Sequence, residues 1–179
     1  MQRLYATTVF LGLLALTAPS LAADVKFPLT GDNTKIEFTG TKSDGKHEGG
    51  FKTVTGNATV SDGKVKLEVE IDMDSLYTDT DKLTAHLKSP DFFGVKANPK
   101  SKFVTTKVEG KGDEWTVTGD LTLNGTTKSI SFPAKVTLGD DKFALKSSFK
   151  INRNDFGITY GKGKIDEDVA LKLDVNAKK

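Results

Sequence analysis

The chain has 179 residues, with 26 lysines and arginines, 24 acidic residues and no cysteine. A net charge of +2 offers no bulk attraction to nucleic acid or to an anionic membrane. The missing thiols exclude disulfides, thiol chemistry, cysteine-ligated metals and a lipidated cysteine anchor, so stability must come from packing.

The first segment has the pattern of an export signal. Met1-Gln2-Arg3 supplies a short positive start, Val9 to Ala18 (VFLGLLALTA) an uncharged, mostly apolar run, and Ser20-Leu21-Ala22, after Pro19, the small residues of a cleavage site. A membrane-spanning helix needs ~20 apolar residues, so this shorter run predicts a cleaved signal at residues 1–22 and no membrane span. The remaining 157 residues, 23–179, suit one domain and are expected to be soluble in an aqueous export compartment, most simply a periplasm.

Lys35 to Thr41 (KIEFTGT) and Phe51 to Val60 (FKTVTGNATV) read as irregular strands, with Gly40 and Gly56 marking bulges or bends. From Lys64 the alternation is unbroken: Val65, Leu67, Val69, Ile71 and Met73 interleave with Lys66, Glu68, Glu70 and Asp72. Period two means one dry and one wet face, as in an antiparallel sheet.

The next segment, DKLTAHLKSP, places Leu83, His86 and Leu87 at helical spacing, with Asp79 or Thr80 as N-cap and Pro90 as terminator. A short helix over about 81–89 is predicted, followed by a long loop that holds the adjacent aromatics Phe92 and Phe93. Such a pair outside a strand either plugs a barrel end or lines its mouth, and the usual placement of ligands in barrel mouths favours the second.

Alternation returns in Trp115 to Leu123, Ile130 to Leu138, Phe143 to Ile151 and Val169 to Ala177. Between the strands Asp62-Gly63, Lys111-Gly112-Asp113, Asn124-Gly125 and Gly139-Asp140-Asp141 supply hairpin chemistry. The expectation is all-β: about eight antiparallel strands, the number whose closed barrel has room for side chains or one small ligand.

Motifs that elsewhere carry phosphate chemistry fail here. Asp155-Phe156-Gly157 lacks the other parts of a kinase, and Gly161-Lys162-Gly163-Lys164 lacks the spacing of a P-loop. Two histidines, His47 and His86, stand without clustered partners, no serine sits in a nucleophile elbow, and the acids at Asp72, Asp74, Asp79 and Asp81 lack the order of a calcium loop. No catalytic residue, metal or cofactor is predicted. Counting by two from Phe143 carries the inward phase to Arg153 and Asp155, which are expected to face each other or another inward group at the barrel rim above Phe156. A structural role for Arg153 is favoured over a grip on a phosphate head group, because a neighbouring acid would repel phosphate.

Four stretches in order, GGFKTVTGNATV, DSLYTDTDKLTAHLKSPDFFGVKANPKSKF, TGDLTLNGTTKSISFP and FKINRNDFGI with DEDVALKLDVNA, resemble the YceI-like family of exported lipocalin-like proteins. The resemblance covers nearly all of residues 23–179. It implies an eight-stranded barrel with an elongated apolar pocket for a polyisoprenoid, an isoprenoid quinone or another long-chain lipid. The expected pocket residues are Phe38, Leu67, Val69, Leu83, Leu87, Phe92, Phe93, Trp115, Phe132, Phe149 and Phe156, with His86 and Arg153 as head-group or rim candidates. A carrier or scavenger without chemistry is the favoured function. The alternatives are an enzyme that uses His86 with a nearby carboxylate, or a solidly packed barrel that binds another protein; dimerisation is left open.

Overall fold

The computed structural model describes residues 24–179, so the predicted signal at residues 1–22 lies outside the described residues. The strands are β1 (Val25–Thr30), β2 (Thr34–Lys42), β3 (Gly45–Phe51), β4 (Val54–Ser61), β5 (Lys64–Asp72) and the three-residue β6 (Leu76–Thr78). After helix α1 (Asp81–Lys88) come β7 (Lys100–Lys111), β8 (Glu114–Leu123), β9 (Thr126–Leu138), β10 (Lys142–Asn152) and β11 (Asp168–Lys178). All pairings are antiparallel, in the order β1-β4-β5-β7-β8-β9-β10-β11-β2-β3-β6. Among the described residues no helix is long and apolar enough to cross a membrane.

The eleven segments are eight passes of the chain, two of them broken once, plus β6. The first hairpin is bent across its middle, at Gly31–Asn33 on one arm and Lys52–Thr53 on the other. Its β1–β4 half joins β5, while its β2–β3 half joins β11. One covalent hairpin thus spans the two sides of the curled sheet and makes it a barrel. Asn176 N–H donates to the Asn33 carbonyl (2.8 Å) where β11 passes the bend. Gly31 makes the bend possible, because a Cβ there would run into the Lys52 carbonyl oxygen.

Elsewhere the turns follow the local chemistry. Asp62-Gly63 and Asn124-Gly125 both adopt positive φ (49° and 72°, 49° and 73°), the conformation of tight hairpin turns. Helix α1 is N-capped by Thr80, whose hydroxyl accepts from Leu83 N–H (3.3 Å), and ends at Lys88, with Ser89 outside it as C-cap.

Burial along the inward faces locates the interior. In β10 Phe143, Leu145 and Ser147 are buried, but Phe149 and Ile151 on the same face are half-exposed. In β11, which runs the other way, Val169, Leu171 and Leu173 are half-exposed before Val175 and Ala177 disappear. Residues of one inward phase differ because one end of the barrel is filled and the other is hollow. The filled end is a cluster around Phe27, Val117, Phe143 and Val136, with the Phe27 and Phe143 rings 6.0 Å apart. A second cluster of Leu76, Leu87, Phe92, Phe156 and Ile158 caps the hollow end.

Gly31→Ala is expected to lower stability by ~1–3 kcal/mol, since backbone atoms and not a flexible side chain must yield. Gly45→Ala, which meets open space at the hairpin tip, should stay within ~0.5 kcal/mol of the parent. Urea denaturation of the two variants checks this.

Candidate ligand pocket

The hollow end holds a partly open cavity of about 240 Å³. Its floor is aromatic: Phe132 stacks on Phe149 with centroids 4.2 Å apart and planes 5° apart, and Phe103 leans on Phe132 at 5.7 Å. The walls are inward residues of the surrounding strands, among them Ile36, Phe38, Val69, Ile71 and Leu121. The roof is Leu83 and Leu87 of α1, then Phe92 and Phe93. Leu83 and Leu87 are four apart and so share one helix face. Phe92 and Phe93 follow because the chain folds straight back on the helix, with Phe93 N–H donating to the Leu87 carbonyl (3.0 Å) and Gly94 N–H to that of Ser89 (2.9 Å). The pair both covers the barrel end and lines the cavity.

Polar side chains are few: buried Ser101, whose hydroxyl donates to the Thr122 carbonyl (2.8 Å), lines the wall, and the others border the opening. Thr41, Lys42 and His47 of the β2–β3 hairpin border the cavity. Lys42 pairs with Asp44 (3.2 Å), and that hydrogen bond and charge hold the Asp44 carboxyl below its ordinary range. His47 Nδ1 lies 2.9 Å from an Asp79 carboxylate oxygen. These pairs are exposed and contribute little stability, but they leave the rim as the wet side of a dry chamber.

Arg153 also borders the cavity and is only 4 % exposed. Its predicted pairing with Asp155 is not what the structure shows. Strand β10 ends at Asn152, whose side chain accepts from Asn154 N–H (2.9 Å) and starts a single 3-10 turn, Arg153–Phe156. Period two is lost there, and Asp155 turns out to solvent. The guanidinium instead donates to four carbonyls: Nε to Asp166 (2.9 Å), Nη1 to Ile158 (2.7 Å) and Tyr160 (2.8 Å), and Nη2 to Ile165 (3.1 Å). Among the described residues no carboxylate lies within ion-pair distance of it. The Gly161–Lys164 stretch is therefore the outer part of a loop pulled onto Arg153. That loop is fixed to the rim, since Asp166 N–H donates to the Thr41 carbonyl (2.9 Å).

Of the expected pocket residues, Phe38, Val69, Leu83, Leu87, Phe92, Phe93, Phe132, Phe149 and Arg153 meet around the cavity. Four do not. Leu67 shares the phase of Val69 but lies two residues nearer the filled end and belongs to its core. Trp115 packs at the far end of β8, its indole N–H donating to the Gly112 carbonyl (2.9 Å). Phe156 is buried behind the roof. His86 points away from the cavity: it contacts Asp91 (3.1 Å) and lies edge-on to Phe92 and Tyr160, each at 5.0 Å. Phe103, Ile158, Ile165 and the rim residues Thr41, Lys42 and His47 were missed. Phe103 follows from the inward phase of β7 before its bulge between Thr105 and Lys107, whereas Ile165, in an aperiodic loop, carries no sequence signal.

A broader groove of about 760 Å³ lies outside the barrel. Glu37, Glu48, Lys150 and Lys172 border it, and it offers an apolar tail little burial.

A lipocalin-like antiparallel barrel, filled at one end and hollow at the other, is the class that this geometry defines. Residues 27–177 match the YceI-like domain, and the chain belongs to the YceI-like family. A UPF0312 protein of Serratia proteamaculans is 34% identical over 180 aligned positions, which cover 92% of this chain and 91% of that one. Burkholderia cenocepacia BcnA has the same fold, with a TM-score of 0.74 at 20% identity over 81% of this chain and 96% of its own. So has a polyisoprenoid binding domain from Saccharophagus degradans implicated in plant cell wall breakdown, with a TM-score of 0.68 at 14% identity over 86% of this chain and 97% of that domain.

Arg153→Met is expected to lower stability by ~2 kcal/mol or more, because four carbonyls lose their donor. Amide exchange should speed up over residues 158–166. Arg153→Lys should recover little of the loss, since one ammonium cannot reproduce the fork. Thermal unfolding with hydrogen exchange checks both.

Proposed function

We propose that this protein carries the apolar tail of a polyisoprenoid, an isoprenoid quinone or a related long-chain amphiphile through an aqueous export compartment without altering it. The observation that carries this is the cavity itself: a partly open chamber walled almost entirely by aliphatic and aromatic side chains, with Lys42 and His47 at its rim. Burying a tail there is worth ~0.8 kcal/mol per methylene, while the rim leaves a head group in contact with water and charge. Two further facts support the proposal. A structural neighbour is a polyisoprenoid binding domain, and residues 1–22 have the pattern of an export signal.

The histidine favoured for an enzyme, His86, bonds Asp91 outside the chamber. His47 with Asp79 stands at the rim instead, but among the described residues no activated nucleophile accompanies the pair. A barrel packed solid along its whole length is not what the structure contains.

Organic extraction and mass analysis of the purified protein should recover one unmodified lipid per chain. A chemically altered lipid would point to chemistry at His47 and Asp79, and a chain that holds no lipid and takes none up would overturn the carrier. Val69→Asp should abolish lipid retention, because an acid in the apolar wall is unpaired. Glu68→Lys, one residue away on the outer face, should retain lipid as the parent does. The double variant Phe92→Ala, Phe93→Ala should release lipid faster, as read by transfer to vesicles, while its circular dichroism stays that of a β protein.

A further inference from the structure

The cavity has a hard lower boundary. Phe132 is 3 % exposed and faces the chamber with its ring stacked on Phe149. It also belongs to the packed cluster beneath, where Phe27, Val117, Val136 and Phe143 are buried almost completely. Val69, Ile130 and Leu173 are partly buried around this same boundary. Two parallel rings and a third leaning on them make a plate of large, stiff side chains, which cannot fold aside as an aliphatic chain can.

The opposite end is set by strand pairing. Phe149 pairs with Leu171, and Leu171 with Phe38. The rim at Thr41 and Lys42 lies three to four residues further along β2, roughly 10–13 Å at strand rise. The chamber between these boundaries has a volume of about 240 Å³. An apolar cavity of ~150 Å³ holds one six-carbon benzene, so by the same measure this one holds about ten carbons.

We propose that Phe132, backed by Phe103 and Phe149, is a length stop: the chamber takes about ten carbons of a tail, the equivalent of two isoprene units, with the head group at the Thr41, Lys42 and His47 rim. Any longer chain leaves its remainder outside the rim, where it gains no burial in the chamber. This rests on the tail-binding function proposed above and adds to it a ceiling on the chain length that contributes to affinity. Replacing the Phe132 ring by a methyl group frees a space on the order of one benzene, room for about four to six further carbons.

The test is a series of straight-chain carboxylates from hexanoate to hexadecanoate. Each is titrated into delipidated protein below its micellar concentration and followed by calorimetry. Affinity should rise about fourfold per added carbon, the factor that one buried methylene supplies, up to about decanoate, and then level off. In Phe132→Ala the levelling point should move up by about four to six carbons. In Phe132→Leu, which keeps more of the packing should the alanine variant not fold, it should move up by fewer. Phe27→Leu, below the plate, should lower the thermal midpoint and leave the levelling point where it is. Affinity that keeps rising through hexadecanoate in the parent overturns the length stop while tail binding stands, as does an unmoved levelling point in Phe132→Leu. No uptake of any carboxylate at any length overturns tail binding and the length stop together.

Discussion

The bent first hairpin is what the interior depends on. A curled sheet with two free sides exposes unpaired backbone groups and lets water reach its concave face. Here one hairpin supplies partners to both sides, because its arms break at Gly31–Asn33 and Lys52–Thr53 and each half pairs with a different neighbour. Only a residue without a Cβ fits where Gly31 meets the Lys52 carbonyl. Once that contact is made, the inward phase of every long strand faces a shared dry space, and the alternation of Val65, Leu67, Val69 and Ile71 acquires a meaning that an isolated strand lacks.

Closure alone leaves the ends open, and the two ends are sealed by different physics. Side chains fill one end, where Phe27 and Phe143 meet among aliphatic residues. At the other, segments outside the strands lie across the opening, and they need their own reason to stay there. Helix α1 and the aromatic turn are held by helix capping and by return bonds onto the last helical turn. The 158–166 loop is held by Arg153. A lone buried cation is costly, yet four carbonyl dipoles satisfy it and its fork geometry shapes the loop around it. The charge is spent on architecture, which leaves the chamber wall apolar and moves charged chemistry to the rim.

Such a division suits recognition by burial. Apolar walls supply affinity in proportion to area and discriminate poorly between tails of one calibre. Selectivity then has to come from depth and from the rim. Lys42 and His47 already have carboxylate neighbours in Asp44 and Asp79, so the rim presents mixed charge and no single anion site.

Residues 24–179 announced much of this in one dimension. The strand phases, the hairpin turns and the helix with its cap are local, because they depend on the period of the chain and on neighbours within a few residues. Eight passes were legible for that reason. The two breaks that turn them into more segments were not, since a bend closes a barrel only in the presence of the far strand. Six of the nine expected residues that reached the cavity, Phe38, Val69, Phe132, Phe149, Leu83 and Leu87, did so because they share the inward strand phase or the inward helix face. Phase cannot say where filling stops: Leu67 and Val69 differ by two positions on one face, yet one is core and the other is wall. That boundary is fixed by the summed volumes of side chains arriving from many strands at once, above all by the stacking of Phe132 on Phe149. The partners of Arg153 were hidden for a related reason. They are backbone carbonyls five to thirteen residues away, which have no side-chain signature and converge only when the loop is folded.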